Sequence, residues 1–187
     1  DHDAESDCDE CSSGYYSAGA ATPNNDCTAC PNGTFKASSD DHPDLDGCID
    51  VDAGKRGEDG AGAYVAAGAV QQTACAAGRY SIDGDGNCPG ETAPGKKTVD
   101  ANGDYVDRGA VNAMDCANGT YDNDGDGLGD CVVCDEGSYA ATAGTYQCTL
   151  CSTGTTTSGT DATDHDAASD CNICVSGHGH ASTPNND

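Results

Sequence analysis

The sequence predicts a small disulfide-rich fold, mostly loop with short β-strands and hairpins, drawn out as an elongated rod of tandem cysteine-rich repeats. Three observations predict it. The 187-residue chain has 14 cysteines and 26 glycines but no Trp, one Phe and one Met, so it lacks the large apolar side chains of an ordinary core. Chains that bury so little surface are commonly held by disulfides or metal ions instead. The pattern C-x-x-G recurs seven times, and the other seven cysteines alternate with it along the chain.

The C-x-x-G units open at Cys11, Cys30, Cys75, Cys116, Cys134, Cys151 and Cys174, and an aromatic follows the glycine in five of them (Tyr15/Tyr16, Phe35, Tyr80, Tyr121, Tyr139). From each such cysteine to the next cysteine the separations are 16, 18, 13, 15, 14 and 20 residues. The remaining gaps are three residues in five cases but 27 and 28 in two. The unit of stable length is therefore the loop, and each C-x-x-C is a junction between loops. The pairs expected are Cys11–Cys27, Cys30–Cys48, Cys75–Cys88, Cys116–Cys131, Cys134–Cys148 and Cys151–Cys171. A loop of this size contributes about 3 kcal/mol when closed. Spacing does not prove connectivity, and peptide mapping that found C-x-x-C pairs bonded internally would contradict it.

Cys8 and Cys174 are left over. Asp1-His-Asp-Ala-Glu-Ser-Asp-Cys8 recurs as Asp164-His-Asp-Ala-Ala-Ser-Asp-Cys171, and Thr22-Pro-Asn-Asn-Asp26 recurs as Thr183-Pro-Asn-Asn-Asp187. The expectation is a slice of a longer tandem array, with Cys8 and Cys174 as inter-repeat cysteines. A second repeat fills the two long gaps: Gly54-Lys-Arg56, Tyr64-Val65 and Gly68-Ala-Val70 return as Gly95-Lys-Lys97, Tyr105-Val106 and Gly109-Ala-Val111. The Tyr-Val-x-x-Gly-Ala-Val core reads as two short strands around a tight turn. Its basic pair is expected to face acidic neighbours or solvent. The resulting division is 1–48, cysteine-rich loop modules; 49–88, a hairpin insert plus loop; 89–131, its second copy; and 132–187, further modules whose end, 164–187, repeats 1–26.

The even, dense cysteine count indicates an oxidising compartment, hence a cell-surface or extracellular protein. With 33 acidic and 7 basic residues the net charge is −26, which excludes nucleic-acid backbones as partners, because these require Lys and Arg, and favours divalent cations. No apolar run has transmembrane length. Asp122-x-Asp124-x-Asp126-Gly-x-x-Asp130 has the spacing of an oxygen-ligand calcium loop, with Gly127 for the sharp turn and Val133 where a bidentate Glu would stand. Asp83, Asp85 and Asn87 form a shorter version, and Asp100, Asn102 and Asp104 have the spacing without the glycine. Asn32-Gly-Thr and Asn118-Gly-Thr are N-glycosylation acceptors, and Ser152–Thr160 is a hydroxyl-rich loop suited to O-glycans. Zinc is disfavoured because the C-x-x-C pairs do not form two-by-two sets. His178-Gly-His180 reads as an exposed loop, and no catalytic arrangement of credible spacing exists, so the protein reads as non-enzymatic.

The run Cys8-Asp-Glu-Cys11-Ser-Ser-Gly-Tyr-Tyr16 to Cys27-Thr-Ala-Cys30-Pro-Asn-Gly-Thr-Phe35, and the run from Cys131 to Cys151, resemble ephrin-receptor-like and tumour-necrosis-factor-receptor-like cysteine-rich repeats. The resemblance implies forward bonding of the C-x-x-G cysteine; the two Tyr-Val inserts depart from it. The stretch Asp122–Asp130 separately resembles a thrombospondin type 3 calcium repeat. The expected function is an extracellular structural repeat protein, forming with copies of itself a filament, appendage or surface coat stiffened by disulfides and calcium. The alternative is a receptor or adhesin ectodomain that binds a protein or glycan.

Overall fold

The computed structural model describes residues 11–17, 27–37, 47–84, 86–124, 128 and 130–176. Cys8, Asp85, Asp126, His178, His180 and the recurring segments 1–8, 22–26 and 183–187 lie outside the described residues. Within them the regular structure is short strands in pairs plus two three-residue 3-10 turns, Ala162–Asp164 and Ala168–Asp170.

Two units are distinguished: Asp1–Glu91 with Thr98–Ala113, and Thr92–Lys97 with Met114–Asp187. In the first, β1 (Tyr15–Ser17) pairs with β2 (Cys27–Ala29) and β3 (Thr34–Phe35) with β4 (Ile49–Asp50). Then β5 (Lys55–Glu58) pairs with β6 (Gln71–Ala74), and β7 (Arg79–Tyr80) with β8 (Gly90–Glu91). A further hairpin joins β9 (Lys96–Val99) to β10 (Asn112–Asp115), and the division into units passes through both strands. In the second unit β11 (Thr120–Tyr121) pairs with β12 (Val132–Val133), β13 (Ser138–Tyr139) with β14 (Thr149–Leu150), and β15 (Thr155–Thr156) with β16 (Ile173–Cys174).

Each hairpin starts from the same head. The N–H after the head glycine donates to the carbonyl three residues back: Tyr15 to Ser12, Thr34 to Pro31, Lys55 to Asp52, Arg79 to Ala76, Lys96 to Ala93, Thr120 to Ala117, Ser138 to Asp135 and Thr155 to Ser152. The glycine holds the third turn position at positive φ, +78° at Gly119 for example, which is the geometry of a type II turn and the reason a side chain is not tolerated there. Six disulfides close six of these hairpins, pairing Cys11 with Cys27, Cys30 with Cys48, Cys75 with Cys88, Cys116 with Cys131, Cys134 with Cys148 and Cys151 with Cys171. The cysteines are themselves the core. Cys11, Cys30, Cys75, Cys88, Cys116 and Cys134 are buried beside Ala69, Ala110 and Ala140, residues small enough to let backbones approach.

Two heads carry no cysteine. Val51-Asp-Ala-Gly54 and Thr92-Ala-Pro-Gly95 make the same turn, with Val51 and Thr92 buried where a cystine would sit. The segments expected as inserts are therefore two further hairpins of the same kind, without the disulfide. Their strands differ from the expectation. Because β5 starts directly after Gly54, and the Cys75 N–H donates to the Gly54 carbonyl at 2.8 Å, the ladder uses residues 55–58 and 71–74. Tyr64–Val70 is left as a loop with single bridges, Tyr64 to Glu58 and Ala69 to Phe35. That loop docks back on the preceding hairpin through Lys36 N–H to Ala69 O and Gly68 N–H to Cys30 O. Basic residues of these hairpins meet acidic neighbours, as expected: Lys55 bonds Asp52, Arg56 bonds the buried Glu58, and Lys96 bonds Asp115.

Candidate functional site

One recurring slot explains how consecutive hairpins lock together. It lies three residues past each head glycine and holds Lys36, Gly57, Ser81, Thr98, Asp122, Ala140 and Thr157, all buried. At five of these positions the N–H of the preceding head glycine donates into it. Gly14 bonds the Lys36 carbonyl at 2.9 Å, Gly54 the Ser81 carbonyl at 2.7 Å and Gly119 the Ala140 carbonyl at 2.9 Å. At two junctions a side chain replaces the carbonyl: Gly95 N–H donates to Asp122 Oδ2 at 3.1 Å and Gly137 N–H to Thr157 Oγ1 at 2.9 Å.

Asp122, the first residue of the calcium spacing, is thus fully buried and accepts a backbone N–H from the neighbouring head. Asp124 and Asp130 are exposed. Among the described residues no group of three or more His, Cys, Asp or Glu side chains converges as a metal site; Asp126 is outside them. In the shorter set Asp83 is exposed and the Asn87 Oδ1 accepts from Arg56 Nη1 at 2.8 Å. In the third set, Asp100 Oδ1 accepts from the N–H groups of Asn102 and Asp104. These two backbone hydrogen bonds hold the Asp100 carboxyl below the ordinary carboxylate value and leave it closing its own turn. Asp52 is held low in the same direction, by hydrogen bonds from Lys55 and then Gln72 and by the Lys55 charge.

The two sequons are exposed at equivalent corners. Asn32 and Asn118 each precede the head glycine, while Thr34 Oγ1 and Thr120 Oγ1 donate to Pro31 O and Ala117 O. Tyr64 donates its hydroxyl to Asn32 Oδ1 at 3.3 Å. Cys174 is exposed and unbonded.

A cleft of about 370 Å³ opens beside the Asp-rich loop, lined by Tyr121, Asn123, Asp124, Asp135, Ser138, Tyr146, Gln147, Cys148 and Leu150. Sequence reasoning did not assemble it. The aromatic after the C-x-x-G glycine marked Tyr121, but Tyr146 and Leu150 belong to the next loop and carry no motif. The walls are held by cross-hairpin hydrogen bonds, Asp122 N–H to Thr145 O at 3.3 Å and Gly144 N–H to Cys116 O at 2.8 Å. Cys148, disulfide-bonded to Cys134, and Ser138 are among the lining residues, and the Ser138 hydroxyl donates to Asp135 O at 2.8 Å.

Among the described residues no helix is long and apolar enough to cross a membrane. No curated protein matches the chain. Residues 119–171, which run from the head of β11 through the closing cysteine of the Cys151 loop, are similar to the family whose model is described as tyrosine-protein kinase ephrin type A/B receptor-like, and this similarity with the six disulfides marks a cysteine-rich repeat.

Proposed function

We propose that the chain is part of an extracellular, receptor-type or adhesin-type ectodomain, in which stapled hairpins act as a non-enzymatic scaffold that spaces and presents a binding surface. The observation that carries this is the slot three residues past the head glycine, through which the preceding head glycine, at cystine-free Gly54 and Gly95 as at Gly14, Gly119 and Gly137, bonds the next hairpin. Six disulfides and the family match over residues 119–171 support export. A second reading, assembly into a filament or coat, is favoured by the recurrence of the Asp1–Cys8 sequence as Asp164–Cys171. Asn32 and Asn118 are the glycan carriers in this scheme. Calcium belongs to it through the carboxylates of Asp124, Asp126 and Asp130, with Asp122 engaged at Gly95.

The test is secretion of the chain through an oxidising compartment, followed by thiol titration, disulfide mapping and electron microscopy. Export with the six pairs intact and discrete particles supports the ectodomain, whereas regular fibres support the polymer. Failure of export, or thiols free at the head cysteines, overturns both. Peptide N-glycosidase reads the glycans as a mass loss. Millimolar calcium should raise the melting temperature, and an unchanged melting temperature would remove calcium from the scheme.

A further inference from the structure

The cleft between β11 and β13–β14 has a chemistry that selects its ligand. Among the described residues its lining includes two carboxylates, Asp124 and Asp135, and no Lys, Arg or His. In a chain of net charge −26 this repels phosphate, sulfate and carboxylate ligands. The apolar part is exposed where exposure is costly: Tyr146 is 62% and Leu150 80% accessible. A tyrosine ring offers an apolar face and a polar edge, so the ligand has an apolar face of its own. Asn123 and Gln147 add carboxamides, which both donate and accept, whereas carboxylates only accept. A bare cation uses acceptors alone and leaves the carboxamide N–H groups idle. A hydroxyl donates to a carboxylate and accepts from a carboxamide, and so suits both kinds of group.

Size points the same way. The volume of about 370 Å³ falls in the range of small-molecule sites, about 300–1,000 Å³, and is more than an ammonium or guanidinium head fills. The Cys134–Cys148 disulfide and the cross-hairpin bonds tie together the segments that carry the lining residues before any ligand arrives, which lowers the ordering cost of binding.

We propose that this cleft is a binding site for a neutral saccharide, with the apolar face of a sugar ring on Tyr146 and a hydroxyl donated to Asp135. The inference does not rest on the ectodomain reading, because the cleft lies within one unit and its chemistry is independent of export or polymerisation.

The experiment uses the full chain with its disulfides mapped, titrated with neutral oligosaccharides (β-linked glucose, galactose and N-acetylglucosamine trimers and an α-linked mannose trimer). Parallel titrations use a sulfated trisaccharide and a lysine- and arginine-containing tripeptide. Because the chain contains no Trp, intrinsic tyrosine fluorescence reports directly, and ligand-observed NMR provides a second readout. The expected result is saturable binding of at least one neutral trimer. Tyr146→Ala should weaken it about tenfold or more with an unchanged melting temperature. Asp135→Asn should weaken it in the same direction. Tyr15→Ala, at another exposed tyrosine, should leave it intact. No binding across the neutral panel, binding undiminished in Tyr146→Ala, or binding of the basic tripeptide or sulfated sugar alone overturns the proposal.

Discussion

If the hairpin headed by Val51 is the same unit as its disulfide-closed neighbours, it should accept the missing staple. In the first hairpin the closing Cys27 pairs with Ser17, three past the head glycine. The equivalent residue opposite Gly57 is Gln72. The double substitution Val51→Cys with Gln72→Cys therefore places two cysteines where six native pairs have Cα separations of 5.5 to 6.0 Å. Residues 51 and 72 stand 21 apart in the sequence, for which the chain-entropy estimate is about 3 kcal/mol. Against this stand two hydrogen bonds of the Gln72 side chain, one accepted from Asp52 N–H and one donated to Asp52 Oδ2, each 2.8 Å. At about 0.5–1 kcal/mol apiece for surface bonds, they leave a net gain of about 1–2 kcal/mol. For a chain of this size that is a rise in melting temperature of about 3–6 °C. The assay is peptide mapping of the oxidised variant and calorimetry against the unsubstituted chain. Thiols that stay free after oxidation, or a new disulfide that lowers the melting temperature, would refute the equivalence of this hairpin with the others.

Gly119→Ala meets two obstacles, φ of +78° and overlap of the new Cβ with the Ala162 carbonyl oxygen, and should cost more than about 2 kcal/mol by chemical denaturation. Gly60→Ala, in open space, should change stability by less than about 1 kcal/mol. Asp122→Ala leaves the buried Gly95 N–H without this acceptor and should cost about 1–3 kcal/mol, with Asp122→Asn restoring part of it; an unchanged denaturation midpoint would remove Asp122 from the slot. Asp52 and Asp100 are both held below the ordinary value of 3.8, so their contribution is complete above that pH and is lost as pH falls through the lower folded values. The melting temperature should therefore fall below about pH 4, and Asp100→Ala should flatten that acid limb when followed by circular dichroism.

The stapled hairpins were legible in the cysteine spacing, because closing a loop constrains chain length and length is written in the sequence. The head turn was legible for a related reason: a positive φ at its third position demands glycine, so Gly14, Gly33 and Gly119 declare themselves. Val51 and Thr92 were missed because they fill the buried volume of a cystine without its chemistry. Their remaining signals were Asp52-Ala-Gly54-Lys and Ala93-Pro-Gly95-Lys, which keep the turn and drop the cysteine. The cleft was half visible, through Tyr121 and the Asp run, and its other wall at Tyr146 and Leu150 was not.

By itself the sequence determined the covalent frame and the turns, since loop length and backbone sign are local properties of the chain. Only the tertiary structure decided which way the Asp run faces. Asp122 shares its buried slot with Lys36, Ser81, Ala140 and Thr157, residues with nothing in common as side chains. What the slot requires is an oxygen aimed at the preceding glycine N–H, and a backbone carbonyl meets that need at Lys36, Ser81 and Ala140 without leaving any mark in the sequence.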